Sequence, residues 1–503
     1  MSKASSRSPQ RRSAVKTVVS IAVILIAAVV MTCFLPENPA GYGLFSLIPA
    51  IFLIAYIFAT KRVVEGLVLA CLIGVIMVSR PVTAGEGVWV TNGVTMFYDM
   101  LLNTMLNEDI AWLIIVCGLM GSIIALIEKS GGAYAFGKWA VSKAKTQRSA
   151  LIWTWILGLV IFMDDYLNAL TVGGCMTSLT DKHKVPREFL AYVVDSTAAP
   201  VCVLIPITTW SAFVGKILET NDWAPAGQGL IYFIKTIPYN FYGWIATFIV
   251  PLAIIGVIPH LGPMKKAFQR VKDGGPLAPP NSEKIDIHAG VDINIPEKTN
   301  ILNMLLPILV LIASTLAFGV AVEFGVLITL AFMFVFYLLQ GVVTAEEFVD
   351  VAVEGIKNMM LPLILMVLAF FFARVNKEIH FTEFVINTAT SLVTPKLMPL
   401  IVFIALSITE FITGTNWGMY IIALPIVIPL AKLMGANVTL AVSAVLSAGV
   451  FGSHICFYSD ATVITSAATG CDNMRHAVTQ VPYGLLAAGL SAVCFLVGGL
   501  IFG

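Results

Sequence analysis

Long runs of mostly apolar residues recur along the chain between short polar gaps, and the first cover residues 17–35, 44–60, 63–79 and 110–127. About 20 such residues in a helix cross the hydrocarbon core of a bilayer, so each run predicts a spanning helix. The next two runs are different. Residues 149–180 are interrupted by Asp164 and Asp165, and residues 189–218 by Asp195, Ser196, Thr197 and Pro200. A plain run follows at 231–258, and then 273–298, with Gly274, Gly275, Pro276, Pro279 and Pro280, reads as a polar linker. Beyond it the order repeats. Plain runs at 301–318, 323–341 and 357–373 precede an interrupted one at 396–432, polar from 410 to 416, then a broken one at 438–468 and a plain one at 479–502.

Loop charge sets the orientation. Lys3, Arg7, Arg11, Arg12 and Lys16 precede the first run, Lys61 and Arg62 follow the second, and Lys129, Lys138, Lys143, Lys145 and Arg148 follow the fourth. Basic residues collect on the cytoplasmic side of membrane helices, so these gaps face inward, whereas the gap 80–109, with Glu86, Asp99, Glu108 and Asp109, faces outward. The run 149–180 is basic on both flanks, with Lys182, Lys184 and Arg187 beyond it. A hairpin that enters halfway and returns, with its tip at 163–168, keeps both flanks inside, and non-helical backbone is tolerated at that depth where it lines a cavity.

The predicted fold is an all-α polytopic membrane protein of about 11 transmembrane helices plus two re-entrant hairpins. A basic cytoplasmic N-terminus (1–16) and a first span (17–35) lead into a first repeat (44–272), with its hairpin at 149–180 and an unwound helix at 189–218. After the linker (273–298), a second repeat (299–503) has its hairpin at 396–432 and an unwound helix at 438–468. The first repeat begins outside and the second inside, so the two are inverted. The spacing of Asp165, Asn168 and Thr171 returns in Glu410, Thr413 and Asn416, with Ser196 opposite Ser453.

Composition agrees with a lipid environment. Hydrophobic residues make up 58%, charged residues 12%, and mean hydropathy is +0.91, whereas soluble domains carry roughly 25% charged residues. A formal net charge of +1 predicts no nucleic-acid partner. The eight cysteines are scattered, with no CxxC pair, so neither a disulfide frame nor a zinc site is expected. No cofactor is expected either.

A carboxylate at the bilayer midplane costs at least about 2.5 kcal/mol, so Asp164, Asp165, Asp195, Glu410 and Asp460 within apolar runs call for a cation or a proton. Sodium takes oxygen ligands. The breaks offer the hydroxyls of Thr171, Ser196, Thr197, Thr413, Thr415 and Ser459, the amides of Asn168 and Asn416, and carbonyls freed by unwinding. Structural readings stand beside these: a helix boundary in water for Asp164 and Asp165, and helix shaping for Pro200, Pro206, Pro425 and Pro429. His454 reads equally as a donor to a carbonyl or as a proton relay, while His183, His260, His288, His380 and His476 fall in loops or at span ends and read as solvated.

The segment FMDDYLNALTVGGCMTSLTDKHKVPREFLAYVVDSTAAPVCVLIP at 162–206 resembles the NhaC-type sodium/proton antiporter family of the ion transporter superfamily. GVFGSHICFYSDATVITSAATGCDNMRHAVTQVPYG at 449–484 is similar to that family's second signature, and GGAYAFGKWA at 131–140 also resembles it. The resemblance implies two inverted repeats, a multi-pass protein of the bacterial cytoplasmic membrane with its N-terminus inside, and exchange of sodium against protons or an organic ion. The chain departs from the pattern at Ser453, where an acidic residue is usual, and at Cys456 and Phe457, where Ser-Pro is usual.

The expected function is therefore sodium/proton antiport by alternating access, with Asp195 binding the two ions in competition. Asp165, Asn168, Asp195 and Thr197 are the sodium ligands to test. Asp164, Asp165 and Asn168 form the first tip, Glu410, Thr413 and Asn416 the second, and Ser453, His454, Ser459, Asp460 and Thr462 the opposing unwound helix. The alternative is a sodium- or proton-coupled carrier of a small organic acid or amino acid, its cavity walled by Trp210, Trp417, Phe457 and Tyr458. An intramembrane magnesium-dependent prenyltransferase-like enzyme is a distant third, because the second polar cluster has one carboxylate and no Lys or Arg for phosphates. Expected partners are the lipid bilayer, Na+, H+ and a small organic solute, with room for a homodimer.

Overall fold

The computed structural model describes residues 30, 34–36, 38–60, 62–79, 89–106, 108–280, 282, 299–319, 321–381, 384, 393–414, 416–457 and 459–502. The expected first span lies almost wholly outside the described residues, as do Thr415, Tyr458, His288 and the linker from 283 to 298. Among the described residues the chain is helical and no strand occurs. Five helices are long and apolar enough to cross a bilayer: Ile110–Lys129, Val322–Gln340, Trp417–Met434, Val438–Ile455 and Asn473–Phe502. The pair Gly229–Tyr239 and Phe241–Ile255, bent by 54°, would make a sixth.

Contacts divide the chain into two units. The smaller takes residues 1–107 and 366–388. In it Ile48–Thr60 packs on Val63–Val78, and the phenol of Tyr42 donates to the carbonyl of Met77 at 2.8 Å. This unit also holds a helix, Trp89–Met105, where the sequence pattern suggested only an outer loop. Asn92, Thr95, Asp99, Asn103 and Thr104 dilute its apolar run, which hides it from a hydropathy reading.

The larger unit, residues 108–365 and 389–503, contains all four breaks. One wall is the crossing of Glu108–Lys129 with Ala345–Asn358, where Gly121 and Gly355 lie so close that a Cβ on either would overlap the other's backbone carbonyl. Ser122 donates to the carbonyl of Ala352 there at 2.8 Å.

Gln147–Val160 and Asp165–Lys182 form the first hairpin. At 1.5 Å per residue the arms are about 21 and 27 Å long, short of the roughly 30 Å hydrocarbon core. Their far ends meet, because Gln147 Nε2 donates to the carbonyl of Lys184 at 3.0 Å. The second hairpin joins Met398–Thr413 to Asn416–Met434 across Gly414, whose φ of +68° is a left-handed turn that glycine adopts without a Cβ penalty.

The first broken helix runs through Arg187–Asp195, Ala199–Cys202 and Thr209–Thr220. The i−4 ladder ends at Ser196, Thr197 and Ala198 bond only three residues back, and Pro200, with no N–H, sits in the first turn of the next segment. The second runs through Val438–Ile455 and Asp460–Thr469. The two lie antiparallel. Arg187 Nη1, at the start of the first, donates to the carbonyl of Thr469 at the end of the second (2.6 Å). Ser196 and His454 meet midway at 2.9 Å. Lys432, just before the second begins, reaches the carbonyl of Asp222, just after the first ends (2.6 Å).

Packing is reciprocal. Each hairpin packs on the broken helix that follows it, and its returning arm packs on the last segment of the other broken helix.

Candidate functional site

At the first hairpin the chain turns through residues 161–164, and Asp164 caps the returning arm, accepting from the backbone N–H of Tyr166 (3.0 Å) and Leu167 (3.2 Å). This is the ordinary use of an aspartate at an N-cap. The other oxygen of Asp164 accepts from Thr209 Oγ1 at 3.1 Å, and Asp165 Oδ1 accepts from the indole of Trp210 at 3.2 Å. The tip is thus fixed to the far segment of the first broken helix, with Thr209 N also bonded to the carbonyl of Met163 at 3.1 Å.

Asn168, fully buried one turn into the arm, ties the tip to the break. Its amide nitrogen donates to the carbonyls of Gly158 (2.7 Å), Ile161 (2.8 Å) and Thr197 (2.9 Å). Its oxygen Oδ1 is buried and accepts no hydrogen bond among the described residues. The Thr197 hydroxyl turns back to the carbonyl of Val194 at 3.0 Å, and Gly158 faces it so closely that a Cβ would overlap its Oγ1.

Asp195, wholly buried, is the last helical residue before this break. Its Oδ2 accepts from Gln480 Nε2 at 2.7 Å and lies 3.6 Å from His476 Nε2. Gln480 also donates to the carbonyl of His454, and its own oxygen meets His476 Nε2 at 2.9 Å. Ser466 holds the other nitrogen of His476 at 2.9 Å. Beside them His454 bridges Ser196 Oγ (2.9 Å) and the phenol of Tyr242 (2.8 Å).

Unwinding frees carbonyls, and a buried carbonyl must find a donor. Side chains from elsewhere supply them. At the first break Asn168 serves Thr197, Thr208 serves Cys202 (3.0 Å) and Asn240 serves Val203 (3.0 Å). At the second, the carbonyl of Ser453 accepts from Ser459 Oγ (2.6 Å) and Thr462 Oγ1 (3.2 Å), that of His454 from Gln480, and that of Phe457 from Asn473.

A model of the Na+/H+ antiporter family matches residues 201–500, more than half of the chain. The chain belongs to that family. It is therefore a secondary transporter of the membrane and not an enzyme. An uncharacterized protein of Haemophilus influenzae is 27% identical over 500 residues, covering 92% of both chains. The malate-2H(+)/Na(+)-lactate antiporter of Bacillus subtilis is 29% identical over 109 residues, 22% of this chain and 23% of the antiporter. Among solved structures, the YdaH transporter of Alcanivorax borkumensis superposes with a TM-score of 0.54 at 12% identity, covering 81% of this chain and 89% of that one. MtrF of Neisseria gonorrhoeae, described with a class of antimetabolite efflux pumps, gives 0.54 at 11% identity over 88% and 95%. These two likenesses concern the fold.

Most of the carrier's predicted site residues converge on the two breaks: Asp164, Asp165 and Asn168 with Thr197, and Asp195 and Ser196 with His454. Ser453, Ser459 and Thr462 close the second break. Asp460 opens the following helix, and its side chain, like those of Thr413 and Asn416, lies outside the described residues. Glu410 is wholly buried against Gly452, where a Cβ would overlap Glu410 Cβ and Cγ. Thr171 departs from the cluster. It lines a small cavity between the first tip (Ile161, Met163, Leu167) and Ile127, Glu128, Met304 and Ile308.

Two expectations change. Asp165 opens the returning arm of its hairpin, whereas Glu410 sits in the last turn of the entering arm of its own, so their matching spacings are not equivalent places. His476, expected to be solvated, is fully buried. The last helix starts at Asn473, so His476 and Gln480 lie one turn apart on a face turned toward Asp195. Gln480, Tyr242, Asn240 and Thr209 were not singled out from the sequence. Their signal was an isolated polar side chain in an apolar helix or at its end. Of the aromatic residues expected to wall a cavity, Trp210 and Trp417 do meet, with ring centroids 5.4 Å apart, and Phe213 packs edge-on to Trp417.

Proposed function

We propose that this carrier exchanges sodium for protons where its two breaks meet, with Asp195 taking either ion and Asn168, Thr197 and Asp165 supplying further oxygens around the cation. The observation that carries the reading is a pair of groups at the first break: the wholly buried carboxylate of Asp195, and Asn168, whose nitrogen bonds the carbonyl of Thr197 and whose amide oxygen is buried with no donor among the described residues. A buried acceptor in that state calls for a bound cation, water or proton, and sodium prefers such oxygens. Because one carboxylate serves both ions, loading sodium expels the proton, and this exclusive occupancy couples the fluxes.

Contacts at both ends of the antiparallel pair support alternating access. Arg187 and Thr469 close one end, and Lys432 and Asp222 the other. The end with Arg187 also carries Lys182, Lys184, Lys265, Lys266, Arg270 and Lys272, and by the positive-inside bias it faces the cytoplasm, as does the N-terminus. The reciprocal packing of hairpins and broken helices supports two inverted repeats.

The decisive experiment is sodium-driven proton movement in vesicles containing the purified carrier. Asp195→Asn is expected to abolish exchange while the folded protein still elutes as wild type. Exchange at the normal rate and apparent sodium affinity in that variant would overturn the assignment.

A further inference from the structure

The short helix Gly262–Lys272 leaves the bundle at the end that carries Arg187 and is amphipathic. Met264 and Ala267 are buried, and Phe268 stacks on His260 with ring centroids 3.7 Å apart, whereas Lys265, Lys266 and Lys272 are exposed. A basic amphipathic helix of this kind lies in the plane of the membrane interface. Between it and the first turns of the last helix is a pocket of about 250 Å³, lined by Glu188, Pro263, Lys266, Ala267, Arg270, Pro280, Arg475, Val478 and Thr479.

The charges in this pocket are not balanced. Arg270 is committed to Glu188 through two hydrogen bonds, at 2.7 and 2.8 Å. Lys266 and Arg475 make no ion pair among the described residues and are exposed at the mouth. Pro263, Ala267 and Val478 give one apolar wall, while the hydroxyl of the buried Thr479 is spent on the carbonyls of Arg475 and His476. Two uncommitted cations beside an apolar wall at the interface suit a phosphate group with a hydrocarbon neighbour.

We propose that this pocket binds a phosphate group, presented by the headgroup of an anionic phospholipid, and that its occupancy steadies the Asp195 site. The connection is short and covalent. Arg475, Val478 and Thr479 line the pocket, while His476 and Gln480, on the same two turns, hold Asp195. Glu188, which lines the pocket, lies in the first turn of the helix that Asp195 ends. The proposal rests on the reading of Asp195 only for the second clause.

The test is binding first and transport second. Purified carrier is titrated with phosphatidylglycerol, with phosphatidylcholine and with inorganic phosphate, and retention is read by native mass spectrometry and by melting temperature. Wild type is expected to retain phosphatidylglycerol selectively. Lys266→Ala with Arg475→Ala is expected to lose about 30-fold in affinity, since each basic side chain near an anionic surface contributes about fivefold. Displacement of the lipid by millimolar inorganic phosphate would assign the site to free phosphate instead of a headgroup. Equal retention by wild type and the double variant, or no preference over phosphatidylcholine, would overturn the proposal. Reconstituted exchange faster in phosphatidylglycerol for wild type alone would support the coupling, and equal stimulation of both proteins would refute it. The binding result stands whether or not the transported ion is sodium.

Discussion

Gly158→Ala adds one methyl group at the point where the first hairpin touches the first break. In the fold that methyl would overlap Thr197 Oγ1 and Cβ, and Thr197 is wholly buried with its hydroxyl turned to its own helix. Overpacking of this kind costs about 1–3 kcal/mol. The helix propensity gained from Gly to Ala returns about 1 kcal/mol. Separation of Asn168 from the carbonyl of Thr197, now 2.9 Å, removes a further 1 kcal/mol or so. The net loss is about 1–3 kcal/mol, concentrated at the oxygens proposed for sodium. The assay is the melting midpoint of the purified protein alongside the sodium dependence of exchange in vesicles. Gly174→Ala serves as the control, because a Cβ at Gly174 meets nothing within 4 Å. Gly158→Ala should melt lower and require more sodium for half-maximal exchange, and Thr197→Ala in the same chain should recover part of the stability, a coupling of about 0.5–3 kcal/mol. If Gly158→Ala behaves like Gly174→Ala, or if the two substitutions simply add, the hairpin and the break are not in the contact described.

Asn168→Ala leaves the carbonyls of Gly158, Ile161 and Thr197 without their shared donor, at about 1–3 kcal/mol for each one left unsatisfied, and exchange should fall to background while Asn168→Asp retains some sodium response. Gln480→Leu removes the amide that holds Asp195 and the carbonyl of His454; its apparent sodium affinity should change at least about tenfold, as expected for a charge-assisted hydrogen bond, whereas Gln480→Glu should change the pH profile of exchange as well. Arg270→Met strands the buried carboxylate of Glu188, and thermal melting should reveal a loss of about 3 kcal/mol, with Glu188→Gln in the same chain restoring most of it. The hydrogen bonds that Arg270 donates to Glu188 raise the guanidinium above its ordinary value, so on the alkaline side the stabilisation is not lost until the pH passes that value. Alkaline titration to about pH 10 should leave this latch intact.

The breaks were legible because a carboxylate or a proline inside an apolar run is costly in lipid, so Asp164, Asp195, Pro200 and Glu410 stand out against their neighbours. Tertiary partnership was not legible. Nothing local distinguishes Gln480 from a surface glutamine near a helix start, yet its position one turn from His476 turns both toward Asp195, 285 residues away in sequence. The same limit hid Thr209, and the bond of Trp210 to Asp165, which appear only when the first tip folds back on them. Thr171 misled for the opposite reason. It lies one turn from Asn168 on the same helix, but where Asn168 is tied to the break at Thr197, Thr171 lines the cavity between the tip and Glu128. Trp89–Met105 escaped notice because Asn92, Thr95, Asp99, Asn103 and Thr104 break up the apolar run that a hydropathy reading looks for.

The freed carbonyls bear on how transport is coupled to motion. If each break were satisfied by its own helix, the two halves could slide past one another without any change at Asp195. Instead, Gln480 of the last helix holds Asp195 and the carbonyl of His454 together, and Ser196 reaches across to His454. Two bonds between the halves, Gln480 to Asp195 and Ser196 to His454, therefore end at the carboxylate or the residue next to it. Displacing one half relative to the other breaks those bonds first, and a buried carboxylate that loses them must take a cation, a proton or water in exchange. On this argument ion occupancy and the opening of either end are one equilibrium. A covalent tether between residues 196 and 454 should stop exchange while leaving sodium binding from one side measurable. Continued exchange through such a tether would show that the halves move without parting at this point.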